Sequence, residues 1–242
     1  MAPPPSLSLI VPVYNEVALL EEAVGVYRSF LERHFTDWEI IVIESGSTDG
    51  TGDLVDGLAR SDSRLKIVHE GGRNGFGSAL KIGFRDARKD LVLMTTADNP
   101  FPIEVILQAL PLLDRCACVL SYRTCDRRVS VFRKVQSFIY NHLVRLALGI
   151  RVRHVNAAFK LYRRDFIQSL ILVSRGWFID AEIVYWITKL RATYAEVPVE
   201  LLERPHGQSS VTVTTAFSLL KELWSFLRIR GRIQQRVPAP PA

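Results

Sequence analysis

The stretch from Leu91 to Pro100 begins as an apolar run of strand length and ends in a carboxylate, an amide and a proline, namely Asp98, Asn99 and Pro100. Such a run has the length of a buried parallel strand, and open α/β sheets bind ligands beyond the carboxyl ends of their strands. Pro100 and Pro102 then end the strand and start a turn before the next helix. Asp98 is therefore either a functional carboxylate at a ligand-binding edge or only the cap of that helix.

Three other predicted strands also end in polar loops: Ser6–Pro12, Trp38–Ile43 and Leu65–His69. The carboxyl ends of parallel strands meet at one edge of a sheet, so these loops should lie side by side. The edge would then gather one set of polar side chains, namely Tyr14, Asn15, Glu16, Glu44, Ser45, Asn74 and Asp98.

Segments of helical periodicity separate these strands and predict an α/β fold with a mostly parallel sheet, right-handed crossovers and helices on both faces. The predicted helices are Val17–His34, a helix through Leu54 and Leu58 that Ser47 or Thr48 caps, Ser78–Arg88 and Ile103–Leu113. Further strands are expected at Cys116–Tyr122, Ala157–Tyr162 and Ala195–Leu202. A dinucleotide-binding signature should follow the first strand, but its glycines are missing there, and no phosphate-binding P-loop pattern occurs.

The chain has 242 residues, of which 48% are hydrophobic, enough for one large core. We expect one domain over residues 6–211, an amphipathic C-terminal helix over 212–233, and disordered tails at 1–5 and 237–242. The three cysteines have no histidine or cysteine at zinc-ligand spacing and are expected to be reduced thiols. The sequence shows no N-terminal segment with the pattern of a signal peptide and no apolar run of the ~20 residues that a transmembrane helix needs. We therefore expect neither a signal peptide nor a transmembrane helix.

The formal net charge is +6, and much of it follows Tyr122. This basic stretch contains apolar residues at helical spacing, including Val131 and Phe138, and predicts either a solvated helix face or a helix lying on an anionic membrane. The last helix carries a stripe of apolar residues at helical spacing, formed by Phe217, Leu220, Trp224 and Leu227. Such a stripe fits packing against a membrane or against the protein core. No nucleic-acid-binding module accompanies the charge, so nucleic acid is not an expected partner.

The order and spacing of several short motifs resemble family 2 glycosyltransferases of the GT-A fold. The resemblance is strongest to the branch that contains dolichol-phosphate mannose synthase and bacterial polyprenyl-phosphate glycosyltransferases. It extends over about Leu7 to Val211 through the motifs at 12–16, 44–51, 73–77, 156–162, 178–182, 196–199 and 204–210.

The resemblance implies a nucleoside-diphosphate sugar donor, with UDP or GDP as the nucleotide. Pro12, Tyr14 and Glu16 would line the base and ribose pocket, and Glu44 or Ser45 would stand where the family has an acid facing the base. Asp98 would be the second carboxylate of the family's Asp-x-Asp motif and hold Mg²⁺ or Mn²⁺ against the diphosphate. The resemblance also places further residues at the donor, namely Asn74, Gly75, Ala97, Arg204 and Ser209.

This sequence departs from the family pattern at two acids. Thr96 replaces the first carboxylate of the metal motif, and Ser45 replaces the second acid of the base loop. A hydroxyl is a poor substitute for a carboxylate on Mg²⁺. Three alternatives follow. Asp98 holds the metal weakly together with Asn99, or catalysis has been lost, or cations do part of the work of the metal, namely Arg123, Arg127, Arg128 or Arg204.

The reaction implied is an inverting transfer of a hexose to a polyprenyl phosphate at the cytoplasmic face of a membrane. Asp180 is the candidate general base or acceptor-positioning residue, and the candidate ligands of the acceptor phosphate are Arg123, Arg127, Arg128 and Arg133. Two alternatives stay open. One is transfer to a saccharide or another soluble hydroxyl acceptor, and the other is a degenerate protein that binds nucleotide sugars without turnover.

Overall fold

The computed structural model describes residues 5–124, 141–150, 152–200, 202 and 213–234, with the backbone alone described at 213–218 and 233–234. Apart from Pro5, the expected tails lie outside these residues, as does part of the basic stretch. The strands in the described part of the chain are β1 (Leu7–Val13), β2 (Trp38–Glu44), β3 (Leu65–His69), β4 (Leu91–Met94), β5 (Cys118–Arg123), β6 (Lys160–Arg163) and β7 (Tyr194–Val199).

These strands form one sheet in the order β3-β2-β1-β4-β6-β5-β7. The β1–β2, β1–β4, β2–β3 and β5–β7 pairs are parallel. Strand β6 is antiparallel to both of its neighbours, β4 and β5. The predicted mostly parallel sheet is therefore confirmed, and all strands except β6 direct their carboxyl ends to one edge.

The helices cover both faces of the sheet, as predicted. They are α1 (Val17–His34), α2 (Thr51–Ser61), α3 (Phe76–Asp86), α4 (Val105–Ala109), α5 (residues 141–148), α6 (Arg164–Ser169), α7 (Ile179–Lys189) and α8 (Val213–Gln234). Buried residues of α1 and α4 pack on one face of the sheet, while those of α3, α7 and α8 pack on the other. No helix among the described residues is long and apolar enough to cross a bilayer.

Two local expectations were wrong. The helix predicted over Ile103–Leu113 is a short α4 followed by a 3-10 helix at Leu110–Asp114. Pro111 explains the change, because proline has no N–H to continue the α-helical hydrogen bonds. Neither Ser47 nor Thr48 caps α2, whose N-cap is Gly50 at φ 94°.

Candidate functional site

The loops after β1 and β2 hold each other by reciprocal hydrogen bonds. The Asn15 N–H donates to Ser47 Oγ at 3.0 Å, and the Thr48 N–H donates to Asn15 Oδ1 at 2.8 Å. Asn15 has a φ of 56°, a left-handed conformation that asparagine tolerates better than most residues. Ser47, which was expected to cap α2, therefore binds the Tyr14–Glu16 loop instead.

Asp49 joins the same two loops to the start of α1. Its carboxylate accepts the Val17 N–H at 3.2 Å and the Thr51 N–H at 3.0 Å, while Thr51 Oγ1 accepts the Glu16 N–H at 3.0 Å. Desolvation opposes ionisation of Asp49, but the hydrogen bonds from Thr51 and Val17 lower its pKa. An anionic Asp49 thus fixes the segment that contains Glu16.

Glu44 ends β2 and is almost fully buried. One carboxylate oxygen accepts the Ser47 N–H, and the other lies 3.0 Å from Nδ1 of His69, whose Nε2 lies 3.1 Å from Asp56. Burial raises the pKa of Glu44, but the contacts with Ser47 and His69 outweigh it and lower the pKa overall. Both oxygens of this predicted base-facing acid are therefore engaged within the protein.

Glu70 is an acid that the motif analysis missed. Ser45 Oγ donates to Glu70 Oε2 at 2.6 Å, and Glu70 Oε1 is buried with no hydrogen-bond partner in the described part of the chain. Glu70 directly follows β3, so its place at the same sheet edge could have been read from the sequence. The carboxylate that position 45 lacks is thus supplied beside it by the next loop.

Tyr14 lies in the loop after β1, and Asn74 lies in the same loop after β3 as Glu70. The Arg73 guanidinium lies 4.3 Å from the centre of the Tyr14 ring, and the neighbouring Asn74 side chain is exposed. Pro12 is half-buried. A half-buried aromatic ring with a cation over it and exposed amides nearby is suited to stacking and hydrogen bonding with a nucleotide.

Gly75 lies where α3 begins, against the loop of residues 173–178. Its φ is 100°, and a Cβ atom there would lie 2.4 Å from the Arg175 carbonyl oxygen. A Cβ at Gly77 would lie 2.8 Å from the carbonyl oxygen of Gly176. Both positions therefore require glycine for the close approach of two backbones.

Two carboxylates also hold the 173–178 loop. The fully buried Glu182 accepts the N–H groups of Val173 and Ser174, each at 2.8 Å. Burial raises the pKa of Glu182 although these hydrogen bonds oppose the shift. Glu222 of α8 accepts backbone N–H groups of Phe178 and Gly176. Glu182 and Glu222 therefore fix the backbone of this loop from two helices, α7 and α8.

Asp98 lies in a tight turn after β4. The Thr96 hydroxyl donates to Asp98 Oδ1, the Asn99 N–H donates to the Thr96 carbonyl at 3.1 Å, and Asn99 has a φ of 43°. Tyr27 of α1 donates to the same carbonyl at 2.7 Å, and Ala97 is buried. Asp98 is thus not the cap of α4, and the turn is fixed from within the core.

The side chains at this turn that could bind a metal ion are one carboxylate, Asp98, and one amide, Asn99. The Asn99 Oδ1 atom is buried and has no hydrogen-bond partner among the described residues. No group of three or more His, Cys, Asp or Glu residues at metal-binding distance occurs there or elsewhere in those residues. Mg²⁺ commonly takes one or two carboxylates and completes its shell with waters and phosphates, so Asp98 fits such an ion when a diphosphate is bound.

Asp180 begins α7 and is buried in the core. Its Oδ1 lies 2.8 Å from Nζ of Lys160, whose side chain is only 1% exposed. Burial raises the pKa of Asp180, and the Lys160 ammonium acts against that rise. The structure therefore places the candidate general base in a buried ion pair.

Arg123 ends β5, at the same edge of the sheet as Asp98. It is half-buried. The other residues predicted to bind the donor or the acceptor phosphate lie outside the described residues: Arg127, Arg128, Arg133, Arg204 and Ser209.

Comparisons with known proteins agree with this architecture. The family model for glycosyl transferase family 2 matches residues 8–171. Glycosyltransferase AglD of Haloferax volcanii is 30% identical over 244 residues, covering 96% of this chain and 39% of the relative. An undecaprenyl-phosphate 4-deoxy-4-formamido-L-arabinose transferase of Salmonella choleraesuis is 30% identical over 224 residues, covering 92% of this chain and 67% of the relative. The chain thus spans about two fifths of one relative and two thirds of the other.

Solved structures show the same fold. Mannosyl-3-phosphoglycerate synthase from Rubrobacter xylanophilus superposes with a TM-score of 0.73 at 21% identity, covering 98% of this chain and 79% of that one. Glucosyl-3-phosphoglycerate synthase from Mycobacterium tuberculosis, in complex with Mn²⁺, UDP-glucose and phosphoglyceric acid, gives 0.69 at 22% identity, covering 93% and 80%. With the family model matching most of its length, the chain belongs to glycosyl transferase family 2 and has the GT-A fold.

Proposed function

We propose that this protein transfers a hexose from a nucleoside-diphosphate sugar to a polyprenyl phosphate, with inversion, at the cytoplasmic face of a membrane. The observation that carries the proposal is the convergence of Tyr14, Glu70 and Asp98 on the carboxyl edge of the sheet. The relative from Salmonella choleraesuis, whose name states an undecaprenyl-phosphate acceptor, supports the acceptor class.

The nucleotide would lie across the loops after β1, β2 and β3. Tyr14 would stack on the base or ribose, and Glu70 would accept a base N–H in place of the acid that Ser45 replaces. Glu44 would act indirectly, because its two oxygens already bind Ser47 and His69. Asn74 and Gly75 would line the same pocket from the start of α3.

The diphosphate would lie beside Asp98, whose carboxylate would hold Mg²⁺ or Mn²⁺. A bound ion would stabilise the negative charge that develops on the departing nucleoside diphosphate. Thr96 would orient Asp98 through its hydroxyl, and Asn99 Oδ1 would be the nearest additional oxygen. Arg123 lies at the same edge and would add positive charge toward the phosphates.

The acceptor phosphate would attack the anomeric carbon of the sugar. A new bond forms between the phosphate oxygen and that carbon, while the bond to the diphosphate oxygen breaks and its electron pair leaves with the nucleoside diphosphate. A phosphate monoester has a second pKa of about 6 and is already a dianion at neutral pH. No general base is required, which agrees with the buried ion pair of Asp180.

Donor turnover tests the proposal. Purified protein is incubated with UDP- and GDP-sugars, with and without Mg²⁺ or Mn²⁺, and with and without a short polyprenyl phosphate. We expect nucleoside diphosphate release that depends on the lipid phosphate and is lost in Asp98→Ala. If nucleoside diphosphate is released only when a saccharide or another hydroxyl acceptor is present, the proposed lipid-phosphate acceptor is wrong.

The single carboxylate at the metal position supports one alternative, a protein that binds donors without turnover. Thr96 stands where a second acid would bind the ion, and its hydroxyl engages Asp98 instead. Tight donor binding without release under any of the conditions above would favour this alternative.

A further inference from the structure

The C-terminal helix α8 packs on the protein through one face only. Leu219, Leu223 and Phe226 are buried, and the Phe226 ring centre lies 5.6 Å from that of Phe178 and 5.1 Å from that of Tyr185. The stripe identified in the sequence is therefore not the core-facing one. Of its described side chains only Leu227 packs partly against the core.

The opposite face of α8 presents large apolar side chains to solvent. Leu220 is 45% exposed and Trp224 is 55% exposed, and residues four apart lie on the same side of a helix. The Arg228 guanidinium lies 3.2 Å from the centre of the Trp224 ring. A tryptophan under an arginine, beside a leucine, is an arrangement suited to the boundary between lipid headgroups and acyl chains.

Helix α5, which contacts α8, also exposes leucines. Leu143 is 43% exposed and Leu146 is 77% exposed, which makes Leu146 unusual among leucines of a folded domain. Arg230 of α8 donates to the Ala147 carbonyl at 3.2 Å, so the two helices are joined beside Leu146. We call Leu143, Leu146, Leu220 and Trp224, with the exposed cations Lys221, Arg228 and Arg232, the α5–α8 face.

Helix α8 carries an excess of positive charge. Its sequence contains Lys221, Arg228, Arg230 and Arg232 but a single acid, Glu222. Glu222 accepts the backbone N–H groups of Gly176 and Phe178 and is therefore directed into the protein. The exposed positions of the helix thus combine apolar and positively charged side chains.

From this charge and exposure we propose that the α5–α8 face docks on an anionic lipid surface. Apolar side chains would enter the headgroup boundary while the cations contact lipid phosphates. A second copy of the chain fits less well, because two such faces would bring like charges together. The inference rests on the proposed function, since a membrane-held acceptor phosphate gives the enzyme a reason to lie at a bilayer.

Vesicle binding tests this inference. The full chain is mixed with vesicles of phosphatidylcholine alone or with added phosphatidylglycerol, and bound protein is measured by sedimentation. We expect binding that needs the anionic lipid, weakens with salt, and falls at least about tenfold in the double variant Leu146→Ser/Trp224→Ser. A control is Leu107→Ser/Leu112→Ser, which removes two leucines that are 39% and 36% exposed in another part of the chain and should bind like wild type.

Fluorescence adds a direct readout at the face. Trp224 emission should shift to the blue on anionic vesicles, and this shift should vanish in Trp224→Phe, which leaves the other tryptophans in place. Unchanged vesicle binding in the double serine variant would overturn the inference. So would a concentration-dependent dimer in solution that the same variant abolishes, since it would identify a second copy as the occupant.

The two proposals fail in different ways. Transfer to a short, water-soluble isoprenyl phosphate should be the same in wild type and in the double serine variant, because the variant leaves the sheet edge intact. Vesicle binding without transfer to any acceptor would overturn the proposed function and leave the α5–α8 face supported.

Discussion

The Lys160 ammonium and the Asp180 carboxylate form an ion pair at 2.8 Å inside the core, with Lys160 on β6 and Asp180 at the start of α7. Desolvating two charges is expensive, and mutual attraction compensates only while both partners are present. The pair therefore joins the single antiparallel strand of the described sheet to the helix that packs over it. This relationship argues for a structural role of Asp180.

Asp180→Asn should destabilise the fold, because it leaves the Lys160 charge buried without a counter-ion. We expect a loss of about 3–5 kcal/mol in the free energy of unfolding, measured by urea titration. The double variant Lys160→Met/Asp180→Asn removes both charges and should recover most of that loss. A general base would behave differently: Asp180→Asn would abolish transfer at unchanged stability, and the double variant would stay inactive.

The turn at Asp98 allows the missing acid to be put back. Thr96→Asp places a second carboxylate next to Asp98, where the Thr96 hydroxyl now contacts it. Without metal, two adjacent negative charges repel, so the melting temperature should fall. With Mn²⁺ the variant should be stabilised more than wild type and bind the ion at least about tenfold more tightly.

Thr96→Asn is the matched control, because asparagine has nearly the same shape as aspartate and carries no charge. It should show neither the metal-free destabilisation nor the gain in Mn²⁺ affinity. Equal Mn²⁺ affinity in wild type and Thr96→Asp, measured by calorimetry with UDP present, would rule out Asp98 as the centre of the metal site.

The contact between Glu44 and His69 should make stability depend on pH. Glu44 and then Asp56 raise the pKa of His69 above its ordinary 6.5, so its contribution is complete below 6.5 and is lost as pH rises through the raised value. Glu44 has a lowered pKa, so its contribution is present above its ordinary 4.5 and is lost as pH falls through the lowered value.

Between the lowered pKa of Glu44 and the raised pKa of His69, wild type should therefore have a larger free energy of unfolding than His69→Gln. This difference should disappear in alkaline solution. Urea midpoints measured from acid to alkaline pH test the difference between the two proteins. His34→Gln serves as the control and should run parallel to wild type. It removes an imidazole whose ring centre lies 4.6 Å from that of Phe30, with the two ring planes tilted by 39°. A wild-type advantage that grows with alkalinity would contradict the assigned ion pair.

Many of the residues at the carboxyl edge of the sheet could be predicted from the sequence, because short apolar strands and the polar loops that follow them are recognisable patterns. Asp98, Glu44 and Tyr14 could be assigned to one edge because each lies at or within four residues of the carboxyl end of a short apolar strand. The roles of single side chains were not predictable in the same way. Glu70 carries no motif of its own, and its contact with Ser45 depends on the pairing of β2 with β3.

The α8 stripe shows a second limit. Leu219, Leu223 and Phe226 have the same helical spacing as Leu220, Trp224 and Leu227, so periodicity alone does not say which set meets the core. The antiparallel direction of β6 was likewise hidden, because the sequence of a strand of four residues does not indicate its direction in the sheet. Tertiary packing decided both.

The last prediction concerns the close approach of Gly75 to the 173–178 loop. Gly75→Ala should destabilise the protein by more than about 1 kcal/mol, because a Cβ would meet the Arg175 carbonyl at 2.4 Å in a backbone with a φ of 100°. The displaced loop should also weaken donor binding, measured as a larger Kd for UDP or GDP. Gly57→Ala is the matched control: it lies inside α2 with its nearest atom at 3.8 Å, so it should stabilise the helix by about 0.5–1 kcal/mol and leave Kd unchanged. Equal nucleotide affinity in Gly75→Ala and wild type would remove Gly75 from the donor site and leave it a purely structural residue.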